Sequence, residues 1–131
     1  QVSADELAQV RALFAACGEV VDLAEKDFSA FAAVAACSPA FVDVFIEALA
    51  DAGVAAGLAR ADAQRIAAQA VAGSGRLVLE TGENPAVLKD RVCSPGGTTI
   101  AGVNALDEHG FRHAVKRAVA AAIARDREMQ G

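Results

Sequence analysis

The sequence predicts an all-α fold, a helical bundle of about six helices, and three observations carry that prediction. About a quarter of the 131 residues are alanine, the strongest helix former. Apolar residues recur three and four apart over most of the length, and Ser, Asn, Gly and Pro punctuate them where helices start and stop. Hydrophobic residues make up 54% of the chain and aromatics only 5%, with neither Trp nor Tyr. An average soluble domain is roughly 45–50% apolar. A single copy of this length is therefore over-supplied with apolar surface, and the composition asks for a partner.

The elements follow in order. Ser3 with Glu6 three residues on makes a capping box, and Leu7, Val10, Leu13 and Phe14 predict a helix over 3–17 that ends at Gly18. Val20, Val21 and Leu23 read as a short extended piece, after which Asp27 caps an alanine-rich helix through Phe28, Phe31 and Val34. That helix should stop near Cys37, because the residue before Pro39 is biased away from helical geometry. Ser38 as N-cap and Pro39 at the first helical position then open a third helix, running to Gly53 or Gly57. Its charges, Asp43, Glu47 and Asp51, fall on one narrow line, so most of its surface has to be buried.

A helix over about 60–80 repeats this pattern, with Asp62, Arg65, Gln69, Arg76 and Glu80 sharing one stripe. Gly73 and Gly75 lie inside it. Each costs about 1 kcal/mol against Ala, which points to a close helix crossing there; a phosphate loop is the poorer alternative, since no strand precedes them. Gly82 ends this helix, Asn84-Pro85 begins a short one through Val92, and Thr98 begins another that runs to His109. Gly110 breaks the chain again before a last helix from Phe111 to about Met129. Residues 118–124 are apolar around two turns and are expected to be enclosed on every side.

Composition also excludes partners. The longest uncharged run, 28–42, is about 15 residues and contains Pro39, whereas a membrane span needs about 20, so no transmembrane helix is expected. A net charge of −5 leaves no basic stripe for nucleic acid. Three widely spaced cysteines, Cys17, Cys37 and Cys93, without a CxxC pair or a clustered His, suggest reduced thiols in a cytoplasm rather than disulfides or a metal site. The chain opens on Gln1 rather than Met, which reads as a piece of a longer protein.

One segment looks chemical. In Ser94-Pro95-Gly96-Gly97-Thr98-Thr99 two glycines let the backbone approach a ligand, free N–H groups open the following helix, and three hydroxyls surround them. With no Lys or Arg inside it, such a cradle suits a small-molecule carboxylate better than a diphosphate. An ordinary turn with a Ser/Thr cap is the plainer reading of the same residues. Other candidates are weaker. His109 and His113 are four apart but straddle Gly110, the acidic line Asp43, Glu47 and Asp51 reads first as a solvated face, and Cys37 and Cys93 lack a neighbouring base. No metal site is expected.

The order of motifs from 38 to 129 resembles the C-terminal domain of pyrroline-5-carboxylate reductase. The resemblance rests on Phe45-Ile46-Glu47-Ala48-Leu49-Ala50-Asp51-Ala52-Gly53-Val54 with Gly57-Leu58, on Glu80-Thr81-Gly82-Glu83-Asn84-Pro85 with Leu88-Lys89-Asp90, and above all on Val92-Cys93-Ser94-Pro95-Gly96-Gly97-Thr98-Thr99-Ile100-Ala101-Gly102. Ala105-Leu106 and Gly110-Phe111-Arg112 complete it. It implies an interlocked homodimer of helical domains, often assembled into larger rings, in an enzyme that reduces 1-pyrroline-5-carboxylate to L-proline. NADPH or NADH would bind a separate N-terminal Rossmann domain. The loop formed by Ser94, Gly96, Gly97, Thr98 and Thr99 would receive the substrate carboxylate, with Thr99 matching the threonine that hydrogen-bonds near the ring nitrogen.

Two departures stand against a complete enzyme. Ala36-Cys37-Ser38-Pro39 replaces the family's Gly-Ser-Gly-Pro, with Ser29 and Ala32 where an acidic residue and a threonine are expected. No strand-GxGxxG-helix unit is present, so 1–131 reads as a single dimerisation and substrate-binding domain, best matched over about 38–131 and unable to hold the nucleotide alone. A non-catalytic helical dimer module and a related imine or keto-acid reductase are the alternatives.

Overall fold

A computed structural model of the chain describes residues 2–130, in which six helices and no strands form. They are α1 (Ala4–Ala15), α2 (Glu25–Ala55), α3 (Arg60–Thr81), α4 (Pro85–Arg91), α5 (Thr98–Glu108) and α6 (Phe111–Gln130). Local signals place most of their ends. Glu6 N–H donates to Ser3 Oγ while the Ser3 N–H donates to the Glu6 carboxylate at 2.8 Å, completing the expected capping box. The Asn84 side chain caps α4 by accepting from the Ala86 N–H at 2.9 Å. Gly82 and Gly110, both with positive φ, stand at the ends of α3 and α5.

The main correction concerns α2. The helix expected to stop near Cys37 runs on without interruption to Ala55, a single element of 31 residues. It starts as a 3-10 turn over Glu25–Asp27, with no side-chain cap from Asp27, and it widens to π geometry over Ala32–Cys37. Ser38 is helical rather than an N-cap, and its hydroxyl donates backward to the Val34 carbonyl. The preference against helix before a proline is a bias on one residue's dihedrals. Here the wide turn absorbs it. The continuous helix is long and apolar enough to cross a membrane by length and composition, contrary to the sequence expectation, which counted Pro39 as a break.

The turn from α2 to α3 is a Schellman motif: Leu58 N–H reaches the Gly53 carbonyl at 3.0 Å and Gly57 N–H the Val54 carbonyl at 2.9 Å. Gly57 takes φ +103, where a Cβ would clash with the backbone. The two helices fold back as a hairpin around Ala50, Ala63 and Ala67, flanked by Ile46 and Val54. Arg60 pairs with Asp51 across its closed end. The close approach is at Gly53, where an added Cβ would lie 3.2 Å from Leu58 Cδ1 and 3.3 Å from Ala63 Cβ. Gly73 and Gly75, expected to mark the crossing, have nothing within 4 Å of such a Cβ in this chain.

The C-terminal helix α6 lies chiefly across the first half of α2, and further along Phe111 meets Phe45 with ring centroids 5.5 Å apart. Helix α1 buries no residue, and Arg11 pairs with Asp22 of the loop that follows it. Among the described residues the buried ones are four alanines, Ala33, Ala50, Ala63 and Ala67. Residues 118–124, expected to be enclosed, are only half-buried or exposed. A compact monomer of 13.3 kDa presents about 6,500 Å² of surface. This chain presents 10173 Å².

Candidate functional site

Helix α4 ends at Arg91, and the chain turns through residues 92–97 into α5. Cys93 N–H donates to the Asp90 carbonyl at 3.1 Å, and Gly97 N–H to the Ser94 carbonyl at 3.0 Å. Between them Gly96 adopts φ +67, the left-handed region that makes it the natural occupant of that turn. Gly97 is the N-cap of α5, extended at φ −78 and ψ 172, and no side chain caps the helix. A Cβ on Gly97 would fall 2.2 Å from Ser94 Oγ and 3.1 Å from the Ser94 carbonyl oxygen. Both glycines are thus required by the turn, one for conformation and one for space.

The first helical bond made back to the turn is from Ala101 N–H to the Gly97 carbonyl. Ahead of it, the N–H groups of Thr98, Thr99 and Ile100 have no acceptor among the described residues. Three aligned amides at the start of an eleven-residue helix carry the positive end of its dipole. Ser94, Thr98 and Thr99 are exposed around them, and Gly97 is half-buried. The structure therefore brings all five predicted residues onto one turn beside three unpaired amide donors. Ile100 is the member that sequence reasoning missed, because its contribution is an amide and its side chain reads as core.

The surroundings carry ion pairs on α4 and just ahead of it. Glu83 and Arg91 meet at 2.8 Å, and Lys89 pairs with Asp90, whose carboxylate accepts its hydrogen bond and raises the lysine pKa above the ordinary value. No basic side chain belongs to the turn itself, so its charge preference comes from backbone dipoles. Two grooves lie elsewhere, an apolar one between α2 and α6 against Phe41, Phe45 and Phe111, and another between α3 and α4 against Leu77, Pro85 and Lys89. His109 and His113 sit exposed on opposite sides of Gly110. Asp43 and Glu47 line a shallow cleft with Gln64, while Asp51 is taken by Arg60. Cys17 and Cys37 are exposed, Cys93 is half-buried, and all three are free. Among the described residues no three His, Cys, Asp or Glu side chains converge as a metal site would require.

Comparison with known proteins matches this arrangement to one family. A family model described as pyrroline-5-carboxylate reductase dimerisation covers residues 25–129. The pyrroline-5-carboxylate reductase of Synechocystis is 51% identical over 128 residues, which is 98% of this chain and 48% of that protein. That of Escherichia coli is 51% identical over 118 residues, 90% of this chain and 44% of that protein. A crystal structure of Plasmodium falciparum pyrroline carboxylate reductase with NADP bound superposes at TM-score 0.91 and 34% identity, covering 100% of this chain and 53% of that one. The chain spans about half the length of the curated relatives it matches. On the helices, the Gly-Gly turn and these matches together, the chain belongs to the pyrroline-5-carboxylate reductase dimerisation family.

Proposed function

We propose that this chain is the dimerisation and substrate-binding part of a cytoplasmic pyrroline-5-carboxylate reductase, the enzyme that reduces 1-pyrroline-5-carboxylate to L-proline. The observation that carries the reading is the uncapped start of α5 behind the Gly96-Gly97 turn, in a chain of this family. The amides of Thr98, Thr99 and Ile100 donate to the two oxygens of the substrate carboxylate. The hydroxyls of Ser94 and Thr98 add donors at the rim. The Thr99 hydroxyl, one residue into the helix, hydrogen-bonds the ring nitrogen and holds the imine in place while the adjacent carbon is reduced.

The hydride donor is NADPH or NADH, in keeping with the NADP of the Plasmodium structure. The described residues do not fit that cofactor: every regular element is a helix, and the one Gly-Gly turn is preceded by a helix where a dinucleotide cradle has a strand. We assign its binding to parts of the assembled enzyme outside these residues. The same observation favours a second reading, a helical dimer module without reductase activity. A reductase acting on another imine or keto acid is distinguished by relative rates on those substrates.

A second copy covers the exposed apolar faces of α2, α3 and α6. The surface excess of about 3,700 Å² per chain exceeds the roughly 800 Å² that a standard interface buries on each side and is large enough for an obligate one. A bilayer is the poorer cover for α2, since Asp43, Glu47 and Asp51 along it would each cost about 3 kcal/mol at the membrane centre. Larger rings built from the dimer extend the same reading, and it includes neither nucleic acid nor a metal.

The gene product assayed with NADPH and with NADH should form proline from 1-pyrroline-5-carboxylate; no reduction with either overturns the enzyme reading in favour of the dimer module. Thr99→Val, which removes one hydroxyl at nearly constant volume, should weaken proline binding to the intact enzyme by about 1–2 kcal/mol. Unchanged affinity by calorimetry removes Thr99 from the site.

A further inference from the structure

Pro39 lies inside a continuous helix, where a proline lacks the N–H that the helix needs and its ring presses on the carbonyl of the fourth residue before it. Immediately upstream, Ala32–Cys37 has π geometry, in which the carbonyl of residue i accepts from the N–H of residue i+5. For the Val34 carbonyl that donor would be position 39. Proline has none to give. The Ser38 hydroxyl donates to the Val34 carbonyl instead, from the residue next to the missing donor.

The same stretch is where the C-terminal helix docks. Helix α6 lies chiefly on Ala32–Cys37 and on the α-helical turn Phe28–Phe31 just before it. Ala33 is buried there, and Ala32, Ala35 and Ala36 keep the widened turn slim. Downstream, Ser38 itself lines the groove in which Phe41 and Phe45 face Phe111 and Val115. An unsatisfied Val34 carbonyl would favour a kink at Pro39 or a retreat from the π register, and either moves the surface that α6 rests on.

We propose that the Ser38 hydroxyl is a latch that stands in for the absent Pro39 amide, fixing the π turn and with it the seat of α6. The wide turn gives the proline ring room, and the hydroxyl satisfies the carbonyl that the wide turn leaves behind. In this chain the two features are coupled, so the effect of losing the hydroxyl depends on what occupies position 39.

That dependence is the test, read as a double-mutant cycle by hydrogen exchange and urea unfolding on the chain in its assembled form. Ser38→Ala should speed exchange about five-fold across 32–38 and the first half of α6, the loss of one hydrogen bond. Ser38→Thr, which keeps the hydroxyl, should exchange like the parent. In a Pro39→Ala background an N–H is available at position 39, and Ser38→Ala should change exchange by less than two-fold. An equal effect in both backgrounds, or no effect on 32–38 with Pro39 present, overturns the latch. Should Ser38→Ala alone not fold, folding of the double variant is the expected result, and failure of both overturns the proposal.

Discussion

Gly97 shows how tightly a single position is constrained at the candidate site. A methyl group there would sit 2.2 Å from Ser94 Oγ and 3.1 Å from the Ser94 carbonyl, so Gly97→Ala has to turn the Ser94 hydroxyl aside and ease the turn by a few tenths of an ångström. Calorimetry with proline on the full-length protein should show about a five-fold loss of affinity, the worth of one displaced hydrogen bond, with far-UV helicity unchanged. Glu6 gives a residue-scale prediction in pH. The Ser3 backbone N–H and then the Ser3 hydroxyl donate to its carboxylate and hold its pKa below the ordinary glutamate value. A depressed folded pKa means that the contribution is present above the unfolded value and is lost as pH falls through the folded one. Amide exchange in the first turn of α1 should therefore be protected at neutral pH and accelerate on acidification, whereas Ser3→Ala should fray that turn at every pH by about 1 kcal/mol. The capping box, the Asn84 cap and the Gly96-Gly97 turn were legible from sequence because each is settled within a few residues. The backward bond from Ser38 was not, since a serine before proline reads equally as an N-cap.

At the scale of elements, glycine spacing proved a weaker guide than contact. Gly73 and Gly75 looked like a crossing, yet a Cβ on either would meet nothing within 4 Å in this chain, while one on Gly53, less conspicuous near a helix end, would lie 3.3 Å from Ala63 Cβ on α3. Substituting a large side chain at Gly53 forces the hairpin apart: Gly53→Leu should destabilise by about 1–3 kcal/mol, the range for overpacking. Gly53→Ala should stay within about 1 kcal/mol, because helix propensity offsets a contact from which Leu58 can swing away. Urea midpoints of the two variants measured side by side check the order. The length of α2 is a second lesson at this scale. Local rules set a boundary at Cys37, but the apolar faces on both sides of it continue onto the same partner, α6, and packing carries the helix through.

At the scale of the molecule the decisive fact is that among the described residues only alanines are buried in one copy, while Val44 is 64% and Leu79 78% exposed. Such a chain has too little core to stand alone. Its unfolding should be coupled to dissociation, so the thermal midpoint should rise with protein concentration. Light scattering on dilution should show no folded monomer; a stable monomer of 13.3 kDa would sink the dimer reading. The excess of apolar residues was plain in the composition, yet the expectation that 118–124 is enclosed on every side fails for one chain, since its cover has to come from outside it.

The sequence by itself determined the all-helical class, the caps and breaks that bound most helices, and the turn that gathers Ser94, Gly96, Gly97, Thr98 and Thr99. These depend on interactions between residues a few positions apart, which order in the chain specifies directly. Only the tertiary structure decided that α2 is one helix and that Gly53, rather than Gly73 or Gly75, faces the neighbouring helix of this chain. Those outcomes depend on which surfaces meet, and that is a balance of packing and hydrogen bonding between distant segments that local propensity does not contain.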